Sequence, residues 1–281
     1  TGVAGQQFSV TGAGDASNLS SKNVQSGAAL ASATGLSLGS SSNGGLASNY
    51  NAIGVAGSSY TVTAKGITLT GISALDKIYD ATTTAALNTA SVGYSGLING
   101  DSVSLAGSGT GSFATKNVGV NKAVTVSGYT LSGLDAGNYV VTQPTGLTAS
   151  ISKASLVVSG IAAANKTYDA TTGAALSGTA AVTALGSDSV SVIGAGAGSF
   201  ADANAGSNKA VSVTGYTLTG VDAGNYDVVQ PNAVTATIHK ADVIVSGSKT
   251  YDGATSVAGS TLTATGVAGQ QFSVTGAGDA S

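Results

Sequence analysis

Cysteine, methionine, tryptophan, arginine and glutamate are all missing from the 281 residues. Without Cys there is no disulfide staple, no thiol nucleophile and no thiolate-bound zinc. One histidine, His239, cannot make a His-based zinc site and is read as a surface residue at a module joint. Charged residues are only 8% of the chain, all of them Lys or Asp, and the net charge is −3. With no Arg and 5% aromatics, the electrostatic footprint of a nucleic-acid binder is missing, so no nucleic acid is expected as partner. No run approaches the 18 apolar residues of a membrane span, and no charged-then-apolar leader is visible. The chain is therefore expected to be a slice of a longer polypeptide. Loss of the oxidation-prone side chains fits an extracellular life. No catalytic constellation survives these absences, so an enzyme, a cofactor and a metal site are not expected.

What is present is 42 Gly, a surplus of Ser, Thr, Ala and Val, and 42% apolar residues, enough to bury a core. The stretch TGVAGQQFSVTGAGDAS at 1–17 recurs letter for letter at 265–281, which writes a period of 264 into the chain. Inside it, DKIYDATTTAAL from Asp76, NKTYDATTGAAL from Asn165 and SKTYDGATSVAG from Ser248 align with one another. So do VTVSGYTLSGLDAGNYVVTQP from Val124 and VSVTGYTLTGVDAGNYDVVQP from Val211, with a weaker version from Ala33. Lys65, Lys153 and Lys240 close successive units at spacings of 88 and 87. The expected modules are 66–153 and 154–240, both complete. Residues 1–65 form the C-terminal part of a module and 241–281 the N-terminal part of the next. No linker separates them, so tight joints and a stiff array are expected.

Short β-branched runs such as SLVVSG, DVIVSG and KAVTVSGYTLSG, punctuated by Gly, Asn and Asp, predict an all-β fold. The preferred architecture is a tandem array of small Ig-like β-sandwich modules, with β-grasp-like modules as the alternative. Val124 and Val126 have one parity and Tyr129 and Leu131 the other. A bend at Gly128, and at Gly215 in the next module, should swing the strand between core surfaces. Matching modules places Val103 and Leu105 with Val190 and Val192 and with Phe272 and Val274, and Phe113 with Phe200 and Leu19, as core positions.

Lys77, Tyr79 and Asp80, with Lys166, Tyr168 and Asp169 and with Lys249, Tyr251, Asp252 and Gly253, form a repeated K-x-Y-D-A/G element. Asp135, Asn138 and Tyr139, and Asp222, Asn225 and Tyr226, belong to a repeated D-A-G-N-Y element. Together they resemble the YDG-type and MBG-type repeat domains of bacterial filamentous-haemagglutinin-like exoproteins. The resemblance implies a very large secreted surface protein, exported through a partner outer-membrane pore and serving as adhesin, matrix component or fibre. In the third module Leu46 stands where the others have Asp135 and Asp222.

Calcium at Asp101, Asp135, Asp188 and Asp222 is outweighed by a turn reading, in which Asp caps backbone N–H groups and Gly137 or Gly224 takes positive φ. For K-x-Y-D, a buried Tyr with the Lys stem packed along it is preferred to acid–base chemistry or a Lys–Asp isopeptide crosslink. The glycine runs at Gly107 and Gly194 lack phosphate-loop spacing and read as hairpin loops. The expected function is a structural repeat segment of a long extracellular bacterial fibre, with adjacent modules and identical chains as partners. The competing reading is a glycan- or receptor-binding adhesin module, which exposure of Tyr60 or Tyr94 would favour.

Overall fold

The computed structural model describes residues 2–275, and these are all-β: the only helical pieces among them are three-residue 3-10 turns. That leaves no helix for a β-grasp core, and none long and apolar enough to cross a membrane. The chain divides into two compact units. Of the described residues, one unit runs up to Asp76 and adds Thr84–Ala114 and Asn121–Ala149; the other holds Lys77–Thr83, Thr115–Val120 and the described residues from Ser150 onward. The second unit therefore draws two short segments from the stretch 66–153.

Within the second unit, the residues from Ala154 to His239 build a two-layer sandwich. One layer is a five-stranded sheet in the order Lys166–Thr167, Thr235–His239, Gly206–Thr214, Ala197–Phe200, Gly173–Ala174. Its first pair is parallel, Lys166 lying opposite Ile238 and Thr167 opposite His239. The facing layer consists of strand pairs: Ala154–Val157 runs parallel to Tyr226–Val229, while Ser159–Ala163 pairs antiparallel with Leu176–Ala181 and Ser191–Ile193 with Thr217–Thr219. Between them lie Val158, Phe200, Val211, Val213, Tyr216, Val234, Ala236 and Ile238. The alternation in KAVSVT puts Val211 and Val213 on the inward face, as period-two patterning requires. Each such side chain contributes about 1.5–3 kcal/mol on burial.

The first unit repeats the plan. Thr110–Phe113 pairs antiparallel with Val124–Ser127 and with Thr84–Ala85, and Lys65–Thr70 lies parallel to Tyr139–Thr142. Ile67, Leu69, Phe113, Val124, Val126 and Tyr129 are buried there.

The expected bend is present in both units. Gly128 and Gly215 have φ of 90° and 98°, and the strands on either side of each glycine join different sheets. A Cβ on Gly215 would lie 2.5 Å from the Ala195 carbonyl oxygen, so only glycine fits this crossing. The next residue, Tyr216, enters the core and is held there by Gln230. The Tyr216 N–H donates to Gln230 Oε1 at 3.1 Å, and Gln230 Nε2 donates to the Tyr216 carbonyl at 2.8 Å. Gln143 grips Tyr129 in the same way. The Gln of each repeated Q-P pair thus serves as a backbone clamp. Of the expected core positions, Phe113 and Phe200 are fully buried and Val103, Leu105, Val190 and Val192 half-buried, whereas Phe272 is exposed.

Candidate functional site

The K-x-Y-D element is a tight turn closed by its own lysine. Lys166 Nζ donates to Asp169 Oδ1 at 2.8 Å and to the Thr171 carbonyl at 2.8 Å, while Asp169 Oδ1 accepts from Thr171 N–H at 2.9 Å. The Lys166 ammonium and the Thr171 donors lower the Asp169 carboxyl to about 2. Lys77 with Asp80 and Thr82, and Lys249 with Asp252 and Ala254, repeat the arrangement. Ala81 and Ala170 sit at φ 62° inside this turn, where the third copy has Gly253 at φ 76°. The lysine thus grips the aspartate across the turn. The aspartate, with its local donors, is the partner of the lysine head.

The tyrosine of the element does something else. In the second unit, Tyr79 is buried and its hydroxyl donates to Asp188 Oδ2 at 2.6 Å. Tyr226, from D-A-G-N-Y, donates to the same oxygen at 2.6 Å, and the two rings meet edge to face with centroids 5.2 Å apart. Lys116 Nζ pairs with the other oxygen, Asp188 Oδ1, and lies 3.2 Å from Asp222 Oδ1. The Asp188 side chain is 0% exposed, so its charge is compensated entirely by these neighbours. Burial pushes its carboxyl up, but Lys116, Tyr226 and Tyr79 outweigh that and hold it below the ordinary aspartate value. Asp188 in turn raises the Lys116 amine, and burial together with Asp188 pushes the Tyr226 phenol up to about 12.

Backbone completes the cluster. Tyr226 Oη accepts from Leu185 N–H at 3.1 Å, and Asp222 Oδ2 accepts from Ser189 N–H at 3.0 Å. Asn225, 6% exposed, accepts from Val118 N–H at 3.0 Å and donates to Asn117 Oδ1 at 3.3 Å. Lys116, Asn117 and Val118 are thus seated on Asp188, Asp222 and Asn225, a clasp between a segment of stretch 66–153 and the sandwich 154–240.

The first unit holds a second clasp of the same design. Lys22 Nζ lies 3.1 Å from Asp101 Oδ1 and 3.6 Å from Asp135 Oδ1, and Tyr139 Oη donates to Asp101 Oδ2 at 2.7 Å. Val24 N–H donates to Asn138 Oδ1 at 2.9 Å, and Ser102 N–H to Asp135 Oδ2 at 2.8 Å. At the remaining site glutamine replaces the central aspartate. Gln6 Oε1 accepts from Tyr50 Oη at 2.6 Å, and its duplicate Gln270 donates through Nε2 to Tyr168 Oη at 2.9 Å.

Of the residues singled out from sequence, Tyr79, Asp222, Asn225 and Tyr226 come together, as do Asp135, Asn138 and Tyr139. Lys77, Asp80, Lys166, Asp169, Lys249 and Asp252 close local turns, and Tyr251 is exposed. The D-A-G-N-Y aspartate caps a backbone N–H, but on a different loop, at Ser102 or Ser189. The positive φ falls on Gly133 and Gly220, not on Gly137 or Gly224, because it is Gly133 and Gly220 that press against the Ser102 and Ser189 carbonyls. The aspartates weighed as calcium ligands face lysine ammonium groups. Sequence reasoning passed over Lys22, Lys116, Gln143 and Gln230. The signal for the two lysines lay in the repeats: Lys22, Lys116 and Ala203 each follow the matched Leu19, Phe113 and Phe200 by three residues.

No curated protein and no solved structure matches the chain. The YDG domain is matched twice, over residues 63–146 and 152–236, which is more than half of the chain. Both matches contain a full K-x-Y-D turn and a full D-A-G-N-Y face, and the chain belongs to the YDG domain family.

Proposed function

We propose that this chain is a structural repeat segment of a long extracellular bacterial fibre or surface protein of the filamentous-haemagglutinin-like kind. It would serve cell-surface projection, matrix formation or adhesion. The observation that carries the reading is the buried clasp. Lys116, Asn117 and Val118 are spent on holding Asp188, Asp222 and Asn225 of the following repeat, so the chemistry-bearing side chains are consumed in joining modules. A hydroxyl- and amide-rich, weakly charged surface and tandem YDG domains support the same reading. Adjacent modules are the first partners, identical chains and an outer-membrane pore the next. Electron microscopy of the native material tests it: filaments with an axial repeat of three modules are expected, and dispersed single particles would sink the reading.

A glycan-binding module is the second reading, favoured by the exposure of Tyr60 at 48%. Tyr60 borders a cleft with Val10, Leu19, Leu30 and Leu36. Matching repeats equates these four with Leu105, Phe113, Val124 and Tyr129, which are half-buried or buried, so the cleft corresponds to module interior, with Asp15 and Asn18 as its polar lining. Loss of sugar binding on Tyr60→Ala would restore the second reading.

A further inference from the structure

Two repeats seat a lysine on the module that follows, a third has alanine at the matched position, and this residue varies together with the face that follows it. Lys22 meets Asp101 and Asp135, and Lys116 meets Asp188 and Asp222. The third seating position is Ala203, and there the receiving face carries Gln270 where the others have aspartate, with Leu46 at the matched place of the second aspartate. Asn204 and Ala205, which follow Ala203, line one cleft with Tyr168 and Gln270.

The chemistry explains why the changes go together. A carboxylate accepts from both tyrosines but brings a charge that cannot stay buried without a cation. A carboxamide has one acceptor and one donor, so it satisfies both tyrosines without charge. Gln6 accepts from Tyr50, the D-A-G-N-Y-type tyrosine, and Gln270 donates to Tyr168, the K-x-Y-D tyrosine. Between its two copies, the glutamine position thus makes one contact to each kind of tyrosine, as Asp188 does to Tyr226 and Tyr79, and a lysine opposite it would have no counter-charge.

We infer that this pair of positions is a matching code that fixes which module can follow which. A lysine-tailed module accepts an aspartate face, an alanine-tailed module accepts a glutamine face, and the mismatched combinations are penalised. The code works through a penalty on wrong partners as much as through attraction to the right one. In an array of period three it keeps neighbouring repeats in order despite their near-identical folds. The inference rests on the reading of the modules as consecutive structural units.

The test is a double-mutant cycle in the full chain, read by native-state hydrogen exchange at the Val118 and Leu185 amides, which are bonded to Asn225 and Tyr226. Lys116→Ala is expected to raise the opening constant of these amides by about a hundredfold. Asp188→Gln introduced alongside it is expected to recover at least about tenfold of that loss. The reverse cycle uses the neutral junction, where folding of the sandwich is not at stake. Ala203→Lys alone is expected to loosen the contact between Tyr168 and Gln270, and Ala203→Lys with Gln270→Asp to tighten it, read at the Gly266 amide, which donates to the Gln270 carbonyl. Additive effects in both cycles would overturn the code while leaving the fibre proposal standing. Coupled cycles with no filaments in the microscope would do the opposite.

Discussion

Lys116 and Asp188, 72 positions apart, form an ion pair in which the aspartate side chain is wholly buried and the lysine side chain is 30% exposed. The asymmetry sets the energetics. The lysine side chain stays partly in solvent, whereas the aspartate depends on Lys116, Tyr79 and Tyr226 for all of its compensation. The clasp therefore reports through Asp188, and perturbations should be read there.

Removing one of the tyrosine donors is the mildest probe. Tyr226→Phe takes one hydrogen bond from Asp188 and leaves the Leu185 N–H without its acceptor, at a cost of about 1–3 kcal/mol. Tyr79→Phe removes the Asp188 bond and the hydroxyl's interaction with Lys116 but orphans no backbone N–H, and should cost less than Tyr226→Phe. Denaturant unfolding of the two variants should rank them in that order. Equal losses would mean that the Leu185 contact contributes nothing.

Alkaline titration gives a second test. The folded Tyr226 phenol titrates at about 12, above its ordinary 10.0. A group whose folded pKa is raised contributes stability that is complete below the unfolded value and is lost as pH climbs through the folded one. Stability should therefore decline between about pH 10 and 12. With no Trp in the chain, phenolate absorbance can be followed directly. Tyr79 and Tyr139 are raised as well, so Tyr226→Phe should lose one of several late-titrating phenols and keep the others.

Acid acts in the opposite direction. Asp169 titrates at about 2 and Asp188 also lies below the ordinary 3.8. Depressed carboxyls stabilise the fold above the unfolded value and lose their contribution as pH falls through the folded one. Thermal scans should show a falling midpoint from about pH 4 down to about pH 2, with a shallower slope in Asp188→Gln carrying Lys116→Ala. An unchanged slope in that variant would remove Asp188 from the account.

Two glycines four residues apart should respond in contrasting ways. Gly220 has φ 121° and a Cβ there would lie 2.2 Å from the Ser189 carbonyl oxygen, so Gly220→Ala should cost about 2 kcal/mol or more. Gly224 has open space around it and no positive φ, so Gly224→Ala should stay within about 0.5 kcal/mol of wild type. Equilibrium unfolding decides between them.

The all-β class, the repeated modules and the bend at Gly128 and Gly215 were legible in the sequence because they depend on local alternation, turn residues and self-similarity. The clasp was not. Tyr79, Asp188 and Tyr226 are far apart in sequence, and each has a plausible local role: Tyr79 as core, Asp188 as turn residue. Only the three-dimensional fold reveals that a seating segment serves the next repeat. The turn glycine was misplaced for a similar reason, since the D-A-G-N-Y string contains a glycine but the constraint comes from the distant Ser189 loop.

The parallel neighbours Ala154–Val157 and Tyr226–Val229 open and nearly close one repeat. Tension entering at the first strand and leaving beyond the second would slide them past one another, loading the whole ladder at once instead of peeling it bond by bond. A repeat wired this way should resist stretching sharply and then yield in a single step, a sawtooth that single-molecule pulling would record.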